Sequence, residues 1–136
     1  MCGIFGVFAD YPVLDSILNG LTKLEYRGYD SSGVSVLDSE NKIKTIRSKG
    51  KLKNLKNKLN GNKINGNIGI GHTRWATHGV PSTLNAHPHS SENVSIVHNG
   101  IIENYSALKK ILEKKGYKFK SQTDSEVIAH LLNDEL

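Results

Sequence analysis

The only cysteine of this 136-residue chain is its second residue, a position from which it could act as a nucleophile. If the initiator Met1 is removed, Cys2 becomes the amino terminus. Its α-amino group, with an ordinary pKa of about 7.7 to 8.0, can then accept the thiol proton near neutral pH. One residue would supply both nucleophile and base. The alternative is that Cys2 is a small apolar side chain buried in an edge strand.

Two further segments concentrate polar groups. Residues 25–33 place an arginine, Arg27, and two glycines directly after a predicted helix, although a glycine at position 28 is equally typical of a helix C-cap. Residues 72–79 combine Arg74, the only tryptophan and two threonine hydroxyls after a predicted strand. A guanidinium suits a small carboxylate, and the indole of Trp75 would cover it.

Histidines are dense between residues 72 and 89, which raises the alternative of a zinc site. The sequence carries neither HExxH nor CxxC spacing, and Cys2 is the only thiol. We therefore expect no metal and no other cofactor.

The third polar segment begins at His98-Asn99-Gly100, where a strand is predicted to run into a helix. The Asn99 amide beside the Gly100 N–H could stabilise the oxyanion of an acyl-transfer intermediate. Asn-Gly is also a common turn dipeptide, so an ordinary turn is the alternative.

Composition limits the function classes. The chain has 37% hydrophobic and 23% charged residues, and its length is that of a single domain. It has no apolar run long enough for a membrane span or a signal peptide, so we expect no membrane association and a cytoplasmic location. The net charge of +5 comes largely from lysines in residues 49–63. These lysines face away from an apolar helical stripe without interleaved aromatic residues, so we expect no nucleic acid partner.

Strands and helices alternate in the predicted organisation. The period-2 and helical patterns predict strands at 4–9, 34–38, 43–47, 68–70 and 94–98, and helices over 13–24, 52–59, 101–112 and 123–136. The strands at 34–38 and 43–47 are predicted to form an antiparallel hairpin. Thr123, Asp124 and Glu126 predict a capping box for the last helix. No glycine or proline stops that helix before Leu136, which indicates a chain truncated at its C-terminus.

Several long motifs together identify a family resemblance. They are Met1-Cys2-Gly3-Ile4, Leu24-Glu25-Tyr26-Arg27-Gly28-Tyr29-Asp30-Ser31, His72-Thr73-Arg74-Trp75-Ala76-Thr77-His78-Gly79, Asn85-Ala86-His87-Pro88-His89, Val97-His98-Asn99-Gly100-Ile101-Ile102-Glu103-Asn104 and Thr123-Asp124-Ser125-Glu126-Val127-Ile128. They resemble the glutaminase domain of the isomerising glutamine:fructose-6-phosphate amidotransferases, also called glucosamine-6-phosphate synthases. The resemblance spans the whole chain.

The resemblance implies an α+β fold of the N-terminal-nucleophile hydrolase type, a four-layer αββα sandwich. Residues 1–136 would form an incomplete type 2 glutamine amidotransferase domain. The sugar-isomerase domains of the full enzyme are absent from this sequence.

The resemblance also implies the catalytic residues. Cys2 would attack the side-chain amide of glutamine and form a glutamyl thioester. Asn99 and Gly100 would form the oxyanion hole, and Arg27 and Gly28 would support the nucleophile.

The implied glutamine-binding residues form a second set. Arg74 and Thr77 would hold the α-carboxylate, and Asp124 would receive the α-ammonium. The loop over the substrate would contain Trp75 and His78, with His87 in a supporting position.

The implied function is hydrolysis of L-glutamine to supply ammonia for glucosamine 6-phosphate synthesis. Fructose 6-phosphate would bind the absent domains, and the full enzyme would be a homodimer. One alternative is the glutaminase domain of another class II amidotransferase such as amidophosphoribosyltransferase. Asparagine synthetase and glutamate synthase domains fit less well. A different class of alternative is a catalytically silent fragment.

Overall fold

The computed structural model describes residues 1–77 and 79–136, so the predicted loop residue His78 lies outside the described residues. In chain order the elements are β1 (Gly3–Phe8), α1 (Leu14–Leu24), a short 3-10 turn (Glu25–Arg27), β2 (Ser31–Leu37), β3 (Ile43–Lys49), α2 (Leu52–Gly61), β4 (Ile68–Arg74), β5 (His89–Ser91), β6 (Val94–Ile96), α3 (Tyr105–Lys114) and α4 (Glu126–Glu135). None of these helices is long and apolar enough to cross a bilayer.

Four strands form one antiparallel sheet in the order β1-β4-β2-β3. The predicted hairpin is confirmed as β2 and β3. Gly3, the first residue of β1, lies opposite Thr73 near the end of β4. Cys2 therefore lies beside the end of β4. This register brings the start of the chain to the residues that follow Arg74.

One face of the four-stranded sheet carries the apolar core. Ile17 and Leu21 of α1 and Leu55 of α2 are fully buried against this face. Val34 and Val36 of β2, whose side chains belong to this core, are at most 1% exposed. Burying each side chain of this size stabilises the fold by roughly 1.5–3 kcal/mol. The apolar residues that recur at helical spacing in both helices therefore pack into one shared core.

The other face of the sheet meets the second, two-stranded sheet of β5 and β6. Ser35 Oγ of β2 lies 2.7 Å from Ser95 Oγ of β6. Helix α4 packs on the second sheet, where His130 Nδ1 lies 3.0 Å from Ser91 Oγ, and α3 packs on α4. The layers are therefore helix, sheet, sheet and helix, which confirms the predicted αββα sandwich.

Two local predictions were wrong. Asn99 and Gly100 do not start a helix, because β6 ends at Ile96 and α3 begins only at Tyr105. The predicted capping box does not form either. Thr123 Oγ1 bonds His89 Nε2 at 2.8 Å, and the Glu126 carboxylate accepts from the Lys120 and Ser121 N–H groups.

Candidate active site

A cavity of about 270 Å³ opens where the ends of β1 and β4 meet the loops before α3 and α4. Eight of the residues singled out from the sequence line it: Cys2, Arg74, Trp75, Thr77, His87, Asn99, Gly100 and Asp124. Met1, His98, Ile101, Thr123 and Ser125 also line it. Residues up to 124 positions apart in the sequence thus share one small cavity.

Cys2 is partly exposed in this cavity rather than buried in the core. Trp75 N–H donates to Cys2 Sγ at 3.3 Å, and Sγ lies 3.7 Å from Trp75 O. The Trp75 main chain therefore holds the sulfur at the cavity wall. The alternative of Cys2 as an apolar strand residue does not match this environment.

Arg27 and Gly28 lie behind the cysteine and do not line the cavity. Arg27 Nε donates to the Cys2 carbonyl at 3.4 Å, and Nη2 contacts Met1 Sδ at 3.6 Å. A Cβ on Gly28 would lie 2.6 Å from the Arg74 carbonyl carbon. The absence of a side chain at position 28 lets the 3-10 turn press against the end of β4.

Arg74 is 3% exposed, and its guanidinium donates to Gly79 O at 3.2 Å and Val80 O at 3.3 Å. Burial lowers the pKa of Arg74, while the charges of Asp30 and Asp124 act in the opposite direction. An arginine remains protonated under these conditions. The cavity therefore contains a fixed cation.

The loop after Arg74 is held by Asp30. Its carboxylate accepts from the Ala76 N–H and from Ser31 Oγ, the latter at 2.9 Å. Trp75 is 49% exposed and stands edge-on to Tyr29 with ring centroids 5.8 Å apart. This loop places an accessible indole beside Cys2.

Asp124 supplies an anion to the same cavity. Its side chain is 3% exposed, and Oδ2 accepts from Ile102 N–H at 2.6 Å. A buried cation and a buried anion in one cavity suit a zwitterionic ligand.

Asn99 and Gly100 lie in the loop between β6 and α3. Asn99 Nδ2 donates to the Cys2 carbonyl at 3.4 Å. A Cβ on Gly100 would lie 2.8 Å from His98 Nε2, so the His98 ring covers this glycine. Asn99 is therefore adjacent to Cys2 and Gly100 lines the same cavity, although no helix N-terminus supports these two candidate oxyanion donors.

Sequence reasoning missed His72, His98, Thr123 and Ser125 as members of the site region. His72 and His87 stack with ring centroids 4.1 Å apart, and the His89 ring stands edge-on to His87 at 4.5 Å. Their density in the 72–89 segment was the available signal, but from the sequence it raised only the alternative of a zinc site.

Burial is the first cause of the low pKa values of the three histidines. The pKa falls to about 3 for His72 and about 4 for His89, and that of His87 also lies well below its ordinary value. Outside position 78, no group of three His, Cys, Asp or Glu side chains is placed to hold a metal ion.

The comparisons with known proteins agree with this geometry. A family model described as glutamine amidotransferase domain matches residues 36–135. The chain is 56% identical to a glutamine–fructose-6-phosphate aminotransferase [isomerizing] of Haemophilus ducreyi over 100% of its length. It is 58% identical to the protein of that name from Clostridium acetobutylicum over 98% of its length. The chain spans 22% of the length of each relative.

Solved structures share the fold. The chain superposes on the glutamine phosphoribosylpyrophosphate amidotransferase from B. subtilis, complexed with ADP and GMP, with a TM-score of 0.80 and 28% identity. The match covers 98% of this chain and 29% of that one. A structure described as the allosteric regulatory enzyme of purine biosynthesis gives a TM-score of 0.79 and 30% identity, over 98% of this chain and 29% of that one. Cys2, the buried cation and anion of the cavity and the matched family model lead to one conclusion: the chain belongs to the glutamine amidotransferase family.

Proposed function

We propose that this chain is the glutaminase part of a glutamine–fructose-6-phosphate aminotransferase. The observation that carries the proposal is the composition of the cavity. A partly exposed thiol, a buried guanidinium and a buried carboxylate line about 270 Å³ of space. L-Glutamine presents a carboxylate, an ammonium and an electrophilic amide carbon to match them.

The proposed binding mode follows from charge. Arg74 and Thr77 hold the α-carboxylate, and Asp124 holds the α-ammonium. Trp75 and His78 belong to the loop that covers the substrate, and His87 supports the site from below. With both charged groups fixed, the amide carbon of glutamine is presented to Cys2.

The proposed reaction proceeds through a thioester. After Met1 is removed, the α-amine of Cys2 takes the thiol proton, and sulfur attacks the amide carbon of the glutamine side chain. The α-ammonium of Cys2 gives this proton to the side-chain nitrogen as the C–N bond breaks, and ammonia leaves. Water then attacks the thioester, glutamate leaves, and the thiol is regenerated. The Asn99 side chain and the Gly100 N–H stabilise the oxyanion of both steps, while Arg27 and Gly28 support the nucleophile.

The identity of the acceptor rests on the relatives. The aminotransferases match at 52–58% identity, whereas the solved amidotransferase structures match at 28–30%. We infer that the ammonia serves glucosamine 6-phosphate synthesis, with fructose 6-phosphate bound on sugar-isomerase domains outside these residues and a homodimeric full enzyme. The amidophosphoribosyltransferase alternative has support from the shared fold only. We place the protein in the cytoplasm, because a reducing compartment keeps a nucleophilic thiol free.

The test is the intact mass of the purified chain before and after incubation with a glutamine-like diazoketone that alkylates a nucleophilic cysteine. We expect loss of methionine and a single adduct that excess L-glutamine prevents. The matched variant Cys2→Ala presents the same penultimate side-chain size class to the processing enzyme, and it should lose methionine without gaining the adduct.

Two other results would contradict the proposal. A processed chain that gains no adduct would favour the silent fragment. An adduct that forms equally with and without excess L-glutamine would mean a reactive thiol in a cavity that does not bind glutamine.

A further inference from the structure

The loop that carries Asn99 and Gly100 begins at His98, and two buried histidines bond the main chain of that residue. His98 N–H donates to His87 Nδ1 at 3.3 Å. The His98 carbonyl oxygen lies 3.2 Å from His72 Nε2. The peptide groups on both sides of the His98 Cα are thereby held from the two members of one ring stack.

These two bonds determine the protons on both rings. A carbonyl oxygen only accepts, so His72 Nε2 must carry a hydrogen. An N–H only donates, so His87 Nδ1 must carry none. Within the described residues His72 Nδ1 is buried without a hydrogen-bond partner, which suits a ring nitrogen that bears no hydrogen. Both rings must be neutral and protonated at Nε2, and the burial that lowers their pKa values keeps them so.

We call the two bonds from His72 and His87 to the His98 main chain the clamp, and other contacts hold its members in place. The His87 carbonyl is packed directly on Gly33 of β2, where any Cβ would overlap it. Arg47 donates to Ala86 O at 3.2 Å just before His87. On the far side the His98 ring is held by Ser125 Oγ, 3.0 Å from Nδ1. His98 therefore has little freedom to shift relative to the sheet.

We propose that His72 and His87 are positioning residues: by bonding the His98 main chain, they set the conformation of the loop that carries Asn99 and Gly100. The inference rests on the proposed glutaminase function for its kinetic consequence. The clamp orients the peptide that leads into Asn99, one residue before Gly100. Both bonds go to the His98 main chain rather than to the proposed α-carboxylate and α-ammonium sites, so loss of the clamp should lower kcat by a larger factor than it raises KM for glutamine.

The test uses the different reach of asparagine and glutamine. An Asn side-chain oxygen replaces an acceptor at the Nδ1 position, and a Gln side-chain nitrogen replaces a donor at the Nε2 position. We expect His87→Asn and His72→Gln to keep kcat within about threefold of the parent chain. His87→Gln and His72→Asn should lose about 10- to 100-fold in kcat. If the histidines only fill space, the larger Gln should be tolerated better than Asn at both positions. The two explanations differ at position 87, where the clamp predicts a higher kcat for His87→Asn than for His87→Gln.

The matched control is His130→Gln. His130 is also buried, at 5% exposure, but bonds Ser91 and Glu126 rather than the loop. We expect its kcat to stay within about threefold of the parent, with thermal unfolding recorded for every variant.

A second measurement does not depend on turnover or on variants. Proton–nitrogen correlation NMR of the imidazole rings in the parent chain at neutral pH should show His72 and His87 both as Nε2–H tautomers. A charged ring or an Nδ1–H tautomer at either position would overturn the clamp. Equal loss of kcat in His87→Asn and His87→Gln, with the parent active and both variants folded, would overturn it as well. A parent chain that neither hydrolyses glutamine nor gains the diazoketone adduct would instead refute the proposed function, and the tautomers would still decide the clamp.

Discussion

On the helix side of the four-stranded sheet the buried groups are apolar, whereas on the side facing the second sheet they are mostly polar. Ile17 and Leu21 fill the first side with no hydrogen-bonding demand. His72, His87 and Asp124 fill the second, and each is at most 4% exposed. Apolar burial stabilises without direction, while a buried polar group requires a partner at a fixed angle. The first side therefore supplies stability, and the second supplies geometry.

Removing the thiol should give the clearest difference between an effect on activity and an effect on stability. We expect Cys2→Ala to lower glutamine turnover at least about 1000-fold, because the nucleophile is removed and no other thiol exists in the chain. The melting temperature should stay unchanged, since Cys2 is partly exposed and outside the apolar core. Glutamate release and thermal unfolding of the processed chains measure both. Residual turnover above one part in about a hundred would identify a different nucleophile.

Acid should weaken the polar side selectively. His72 and His89 have pKa values of about 3 and about 4 in the fold against 6.5 ordinarily. The unfolded chain thus binds protons below pH 6.5 that the folded chain does not, and stability falls as pH falls. Between pH 6.5 and 4.5 the loss should reach about 3 kcal/mol or more.

Glu126 defines the lower limit of that window. Burial raises the pKa of its carboxyl, but the hydrogen bonds from Ser121 and Lys120 outweigh burial and hold it below the ordinary 4.5. Its contribution to stability is lost only below pH 4.5, after the histidine effect has developed. Urea unfolding at a series of pH values measures how steeply the free energy of unfolding changes with pH. In His89→Gln this dependence should be smaller by the contribution of one proton. A stability that does not change between pH 6.5 and 4.5 would mean that the histidines titrate normally in the fold.

A core truncation tests the helix side directly. Leu21→Ala should lower the free energy of unfolding by about 3 kcal/mol, because Leu21 is fully buried between α1 and the sheet. Its counterpart on the opposite face is Ser35→Ala, which removes hydrogen bonds to Thr45 and Ser95 and should cost about 1 kcal/mol. Urea denaturation compares them. Equal costs would contradict the assignment of stability to the helix side.

We expect the charge at position 124 to affect binding rather than stability. Asp124→Asn retains an oxygen that accepts from Ile102 N–H but loses the negative charge. We expect KM for glutamine to rise about 10- to 100-fold with a small change in melting temperature. Steady-state kinetics with L-glutamine measure this. If KM is unchanged while the protein is folded, Asp124 holds the loop and not the α-ammonium.

The same division explains what the sequence could predict. The helix side was predictable because the 3.6-residue period places Ile17, Leu21 and Leu55 on core faces by local rules. The gathering of Cys2, Arg74 and Asp124 in one cavity was predictable only through long motifs, since their spacing carries no periodicity.

The remaining errors have one physical cause. Thr123 was expected to cap α4, but His89, 34 positions away, competes for its hydroxyl. The contact of His72 with the His98 carbonyl joins residues 26 positions apart. Such partners are set by how two sheets face each other, and no local pattern encodes that.

The smallest expected effect comes from the outer surface of α2, where lysines account for much of the net charge. Lys53 is exposed, in contrast to its neighbours Leu52 and Leu55, which are buried in the core. Because an exposed side chain outside the core contributes little, Lys53→Ala should change the free energy of unfolding by less than about 0.5 kcal/mol and leave turnover unchanged. Urea unfolding and glutamate release measure it. A larger loss would mean that this basic face has a structural or binding role, and the helix side of the sheet would then no longer be a source of stability alone.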